Sequence, residues 1–408
     1  MIDLHAIDDF LDRLNKTTTD DELRLEFATY QAQFDFDVPN DPFSNEYRDH
    51  QLALYKSLAG QSYKPSNEKS AFDVDLAAVK PFPYMHSSCD LVGNQLMSIG
   101  FLIKCLSLRP GARILEFGPG WGNTTLALSK MGFDVTAIDI EQNFVDLINK
   151  RAAMEQLNIR TVLGDFSLIE EIDDPFDAIL FFECFHHASN HQKLIASFEK
   201  AVKKGGIVCF AAEPISADFP LPWGLRMDGE SIWAIRKNGW LELGFNSKYF
   251  AKVLEKYGWR GITYSGQDSP SSSVIIAKRM EDWSGIYEYK KGGLQSQIGI
   301  ISDTGCVSNG SAGYLAFGPY LDLPAGSYRA ELVLTKSNDY SGTISFDVVT
   351  DQGNTCLART NIQMNSIAKH KSIYLDFTSE NELKKLETRV YCENGTNLGL
   401  KAISISAI

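Results

Sequence analysis

The chain has 408 residues, long enough for two or three domains that each bury a core, and its apolar and charged fractions are those of a globular protein. A net charge of −13 leaves no basic surplus to displace counterions from a polyphosphate, which argues against nucleic acid as a partner. Seven cysteines without a C-x-x-C pair, an acidic opening stretch MIDLHAIDDF where a basic leader would stand, and no apolar run approaching roughly 20 residues predict a cytoplasmic protein with reduced thiols and no transmembrane segment.

Residues 1–84 read as an N-terminal helical cap, which is compatible with a second reading as part of an acceptor-binding wall. Ile7, Phe10, Leu11 and Leu14 recur at helical spacing, as do Leu23, Phe27 and Tyr30, and a third helix is expected over Tyr47–Leu58. Gln61–Pro83 is polar and punctuated by proline, so an extended connection is expected there. Pro83–Leu106 then carries helical periodicity, with Tyr84, His86 and Ser87 at its start as candidate pocket residues.

The stretch RILEFGPGWGNTTLALSKMGFDVTAID, Arg113–Asp139, is the centre of the chain. Its apolar run stops at Gly118, Gly120 and Gly122, a helix-forming segment follows, and a second run ends on Asp139. Strand, glycine loop, helix, strand and acid make half of a parallel nucleotide-binding sheet. Such a loop turns sharply and presents helix-start amides to a ligand, and the acid can accept hydrogen bonds from a ribose diol. A dinucleotide needs a third glycine where Asn123 stands. The acid Glu116 at the loop entrance suits the cationic amino-acid end of S-adenosylmethionine better than a pyrophosphate.

EFGPGWGNTT followed by VTAIDI resembles the cofactor motif of class I S-adenosylmethionine-dependent methyltransferases. The resemblance covers roughly residues 85–280. It implies a Rossmann-like α/β domain with a seven-stranded sheet, and cofactor contacts at Glu116, Gly118, Pro119, Gly120, Asp139, Asp165 and Phe166. Asp165, at the end of IRTVLGDF, would receive the adenine amino group; an aspartate there can equally cap the next helix.

Ligands of open parallel sheets bind beyond the carboxyl ends of the strands. After the predicted strand Phe176–Phe182, that rim carries Glu183, His186, His187 and His191. Three readings stand. His187, or His186, is a general base for a hydroxyl acceptor, with His187 preferred. Alternatively Glu183, His186 and His187 hold a divalent metal that polarises the acceptor. Glu-x-x-His-His resembles the Glu-x-x-Glu-His of metal-dependent ubiquinone-pathway and small-RNA methyltransferases, with a histidine in place of the second glutamate. That exchange shifts the expected ion from magnesium toward manganese, iron or zinc. In the third reading the histidines only pack. Glu213, after the fifth strand, faces the same rim.

Residues 214–245 read as an acceptor insertion. Trp223, Trp233 and Trp240 occur there with Arg226, Asp228, Arg236 and Glu242, and flat aromatics with charged hydrogen-bonding groups suit a sugar. Trp223, Arg226, Arg236 and Glu213 are the candidate substrate contacts; a helical lid with core tryptophans is the competing reading. A helix over Tyr249–Tyr257 and two closing runs finish the domain near Arg279, and 281–293 reads as a linker.

From residue 294 the periodicity becomes alternating: Tyr328, Ala330, Leu332 and Leu334; Ile344, Phe346 and Val348; Ile373, Leu375 and Phe377. Residues 294–408 therefore predict an antiparallel β-sandwich, jelly-roll-like. AFGPYLDLPAGSYRAELVL resembles the carbohydrate-binding-like sandwich modules attached to bacterial polysaccharide-assembly enzymes. Taken together, the resemblances imply an O-methyltransferase of a bacterial surface glycan or its precursor, with S-adenosylmethionine as cofactor. A small-molecule methyltransferase and a non-catalytic glycan-binding scaffold are the alternatives; monomer and homo-oligomer both stay open.

Overall fold

The computed structural model describes residues 3–32, 37–80, 82, 88–266, 273–280, 284–289, 293–323, 325–335, 339–364 and 373–408. Tyr84, His86 and Ser87 lie outside these residues. The chain divides into two compact units, Met1–Arg279 and Met280–Ile408.

The first unit is built on ten strands: β1 Arg113–Phe117, β2 Asp134–Asp139, β3 Ile159–Leu163, β4 Phe176–Phe182, β5 Val202–Ala211, β6 Ile215–Ser216, β7 Trp223–Leu225, β8 Leu243–Asn246, β9 Trp259–Ser265 and β10 Ser273–Arg279. Seven of them form one sheet in the order β3-β2-β1-β4-β5-β10-β9. The first five run parallel, and β10 pairs antiparallel with both β5 and β9. Strands buried on both faces are near-continuous apolar runs, and Ala178, Ile179, Leu180 and Phe181 of β4 are all fully buried. The order reverses between β1 and β4, which opens a crevice at their carboxyl ends.

Among the described residues, ten α-helices accompany these strands: α1 Leu4–Leu14, α2 Asp20–Thr29, α3 Asn45–Ala59, α4 Val74–Ala78, α5 Cys89–Leu106, α6 Asn123–Lys130, α7 Gln142–Met154, α8 His191–Ala201, α9 Gly229–Trp233 and α10 Ser247–Lys256. Their ends follow local chemistry. Ser44 caps α3 through the Tyr47 amide and left-handed Gly60 ends it; Asn190 caps α8 through the Lys193 amide. The N-terminal helices share the main core: Ile7, Phe10, Leu14, Tyr47, Tyr55 and Leu58 cluster with Phe185, Trp223 and Phe245. Two expectations change here. Gln61–Pro83 is not wholly extended, since it contains a 3-10 turn at Pro65–Asn67 as well as α4. The 214–245 insertion is no helical lid: β6, β8 and β7 form a small sheet, with α9 running into a π-turn at Ala234–Asn238.

Among the described residues, α5 reaches the length and hydropathy of a membrane span, a feature hidden in the sequence reading by its interrupting Asp90, Asn94, Gln95 and Lys104. The helix buries Ser98, Ile99, Leu102 and Leu106, and the last two join the core beneath β1 and β10.

The second unit adds β11 Ser284–Glu288, β12 Gly299–Ser302, β13 Gly305–Ser308, β14 Gly313–Leu323, β15 Gly326–Leu334, β16 Thr343–Thr350, β17 Thr355–Gln363, β18 Ile373–Ser379, β19 Leu383–Cys392 and β20 Gly399–Ala407. One antiparallel sheet runs β12-β13-β20-β15-β18 and the other β14-β19-β16-β17, with Ala330, Leu332, Ile344, Phe346 and Val390 in the core they share. The expected linker is corrected in part, because β11 pairs antiparallel with β20. On the outward face of the four-stranded sheet, Phe317, Arg389, Asp347 and Arg359 align across the strands, beside Tyr314, Tyr391, Ser345 and Asn361. Asp347 is only 5% exposed, because Arg359 (2.8 Å) and Arg389 (2.9 Å) close over its carboxylate.

Candidate active site

The glycine loop after β1 is fixed by close approach. Gly118 has φ +58°, and a Cβ there would fall 2.7 Å from Cys184 Cβ, so neither the conformation nor the space admits a side chain. Its N–H donates to the Ile138 carbonyl (2.9 Å). Asp139, at the end of β2, accepts the Gly120 N–H (3.0 Å) and the Glu141 N–H (2.9 Å), and burial pushes its carboxyl up to about 6. Glu116 is 1% exposed and accepts the Thr125 hydroxyl (2.6 Å); burial pushes it up to about 7. Through this bond it is tied to the first turn of α6. Pro119 and Gly120 are not walls of the adjoining cavity.

That cavity, about 260 Å³, is walled by Gly118, Asp139, Asp165, Phe166 and His187, with Tyr63 and Glu68 arriving from the N-terminal segment. Asp165 stands both at the cavity and at the start of the next turn. It borders the cavity, and it caps the turn Phe166–Glu171 by accepting the Ser167 N–H (2.8 Å) and hydroxyl (2.5 Å). Phe166 packs on Phe117 with ring centroids 5.6 Å apart. A mostly apolar crevice at the sheet's switch point, with carboxylates at two strand ends and a glycine where a Cβ would intrude, fits S-adenosylmethionine.

Beyond β4, Glu183 takes φ +50° and the chain turns through a 3-10 segment, Phe185–His187. Glu213 organises this turn. Its carboxylate accepts the N–H groups of Cys184 (2.9 Å), Phe185 (2.8 Å) and His186 (3.1 Å), and contacts His186 Nδ1 at 2.9 Å. His186 Nε2 lies 3.5 Å from Glu242. Burial alone would strip the proton from His186, but hydrogen bonds to Glu213 and Glu242 outweigh it and hold the imidazolium up to about 10. Burial would likewise raise Glu242, yet His186 keeps it down to about 2, and Arg226 lies 3.5 Å away.

His187 is held differently. Its Nδ1 is 2.7 Å from the Leu241 carbonyl. A carbonyl can only accept, so Nδ1 carries the proton and Nε2 is the lone-pair nitrogen. His191 is buried against Tyr249, with Nε2 2.8 Å from the hydroxyl, and burial holds it down to about 3; it is a packed neutral histidine.

The expected metal set is corrected. Among the described residues His186, His187 and Glu242, not Glu183, bring ligand atoms within 4.8 Å of one another. Glu213 lies 2.9 Å from His186 Nδ1 and Glu242 3.5 Å from His186 Nε2, so a metal ion on this group would have to displace the Nε2 proton of the imidazolium. Of the expected substrate contacts, Glu213 reaches the His186–His187 turn directly and Arg226 reaches it through Glu242. Trp223 does not: it is 1% exposed, donates to the Pro42 carbonyl (2.8 Å) and packs on Tyr47 and His191, because its ring fills the core between α3 and the small sheet. Arg236 is also elsewhere, bound to Asp8 (2.9 Å) and the Leu58 carbonyl (3.0 Å). Tyr63, Glu68 and Leu241 escaped the sequence reading. Nothing in the polar stretch around Glu68 signals that it folds over the cavity.

Residues 114–206 match a family described as a methyltransferase domain. A ubiquinone biosynthesis O-methyltransferase of Coxiella burnetii is 30% identical over 101 residues, 25% of this chain and 43% of that protein. A probable S-adenosyl-L-methionine-dependent methyltransferase, TehB, of Haemophilus influenzae is 26% identical over 125 residues, 30% of this chain and 43% of that protein. The chain thus spans less than half the length of these relatives. The solved structure of YcgJ from Bacillus subtilis aligns at 16% identity and TM-score 0.35, over 48% of this chain and 75% of that one. Over residues 114–206 the α/β domain of this chain is therefore similar to S-adenosylmethionine-dependent methyltransferase domains.

Proposed function

We propose that the protein is an S-adenosylmethionine-dependent O-methyltransferase acting in the cytoplasm on a sugar hydroxyl of a bacterial surface polysaccharide or its precursor. One observation carries the reaction type: His187 borders the cofactor cavity with Nδ1–H anchored on the Leu241 carbonyl, leaving Nε2 to take a proton. Asp139, Asp165 and the Gly118 turn would hold the cofactor. When bound, S-adenosylmethionine supplies an electrophilic methyl group. His187 accepts the acceptor's hydroxyl proton as the oxygen forms its bond to the methyl carbon, and Glu213 fixes the turn that places His187.

Support for a sugar comes from the second unit. Its outward face combines Tyr314, Phe317 and Tyr391 with Asp347, Arg359 and Arg389, apolar ring surfaces beside fixed hydrogen-bonding groups. The likeness to a ubiquinone-pathway O-methyltransferase favours a second reading, methylation of a small phenolic acceptor. The test is transfer of labelled methyl to nucleotide sugars, surface-polysaccharide fragments and phenols. Label in the sugars, lost in His187→Ala, supports the proposal; label only in phenols replaces it with the second reading. Label retained by His187→Ala removes the base.

A further inference from the structure

We infer that Glu68, carried by the N-terminal segment outside the methyltransferase motifs, is the positioning residue that completes His187. The inference rests on the reading of His187 as the base. Glu68 Oε1 accepts the Leu241 N–H (2.8 Å), and the Leu241 carbonyl in turn accepts the His187 Nδ1–H (2.7 Å). Its other oxygen lies 3.7 Å from that same Nδ1. Two residues of the segment therefore grip His187, because the Tyr63 hydroxyl donates to the His187 main-chain carbonyl (3.1 Å).

The charges around His187 make Glu68 distinct. Glu68 faces it from the N-terminal segment, Glu242 from the insertion and His186 from the adjacent position, with ring centroids 4.1 Å apart; Tyr63 is the remaining titratable neighbour. Glu242 is already matched by His186 and Arg226. Glu68 forms no other ion pair among the described residues, and its side chain is only 14% exposed. Burial raises its carboxyl above the ordinary range, and the neighbouring His187 opposes that rise. A cation on His187 is created by the reaction. The acceptor O–H bond breaks and its electron pair forms the new oxygen–carbon bond; the methyl carbon's bond to the sulfonium sulfur breaks with its pair left on sulfur as a neutral thioether, and the proton arrives on Nε2. His187 then carries a positive charge against Glu68, and later gives the proton to solvent. Glu68 also keeps the Leu241 peptide in register, so the base keeps one tautomer and one ring orientation between turnovers.

The test uses the full chain labelled with ¹⁵N-histidine, with the His187 ring signals assigned through His187→Gln. Glu68→Gln retains an oxygen for the Leu241 N–H but loses the charge. The His187 titration midpoint should move down by about one pH unit, and kcat for methyl transfer should fall about tenfold. A midpoint and a kcat unchanged in Glu68→Gln overturn the inference. A His187→Gln protein that still transfers methyl at the wild-type rate overturns the base reading instead, and the titration distinguishes the two failures.

Discussion

The Glu213–His186–Glu242 arrangement makes stability depend on pH in a way that Glu213→Gln should reduce. In the folded protein His186 keeps its proton up to about 10, against 6.5 for an ordinary histidine. The contribution of this raised group is fully present below about pH 6.5 and is lost as pH rises toward 10. Within that window the loss approaches about 1.4 kcal/mol per pH unit, or about 2–3 kcal/mol between pH 7 and 9. Glutamine preserves the shape and can still accept the Cys184 and Phe185 N–H groups, but it offers no charge to the imidazolium. Glu242 alone then opposes burial, the His186 midpoint falls, and part of the slope disappears. The variant should thus be more destabilised at pH 7 than at pH 9. Urea unfolding at half-unit pH steps, followed by tryptophan fluorescence, measures this directly, since five of the six tryptophans lie in Met1–Arg279. Groups untouched by the substitution cancel in the difference between the two proteins. Parallel stability curves from pH 7 to 9 would show that His186 is not a buried cation.

Other perturbations probe the remaining parts of the site. Asp139→Ala removes the acceptor of the Gly120 and Glu141 amides along with the proposed ribose contact; calorimetry should show cofactor affinity lower by at least about tenfold. Gly118→Ala places a Cβ 2.7 Å from Cys184 Cβ at φ +58°, costing about 1–3 kcal/mol in denaturant titrations and weakening cofactor binding further. Trp223→Ala should cost about 3–5 kcal/mol, because the ring is buried; unchanged stability would return it to the acceptor site. Chelator treatment should leave methyl transfer unaltered, since carboxylates already oppose both His186 nitrogens. A rate lost with chelator and restored by manganese would contradict that assignment.

Local order was legible in the sequence because it is written in local chemistry. The apolar run at Ile114–Phe117, the glycines that stop it and Asp139 at the next strand end predict strand, loop, helix and strand, and the structure has them there. The alternation at Ile344, Phe346 and Val348 likewise becomes a strand with those residues inward. What periodicity cannot carry is the partner of a polar group. Glu213 and the His186 turn are 27 residues apart, Leu241 reaches His187 across 54, and Tyr63 reaches it across 124. The sequence by itself determined the order of strands and helices around the glycine loop, because caps, turns and apolar spacing act over a few residues. Only the tertiary structure decided that Trp223 is core, that Glu242 rather than Glu183 meets His186, and that a polar N-terminal stretch covers the base. Those outcomes depend on burial and charge pairing between distant segments, which become defined only when the chain is packed.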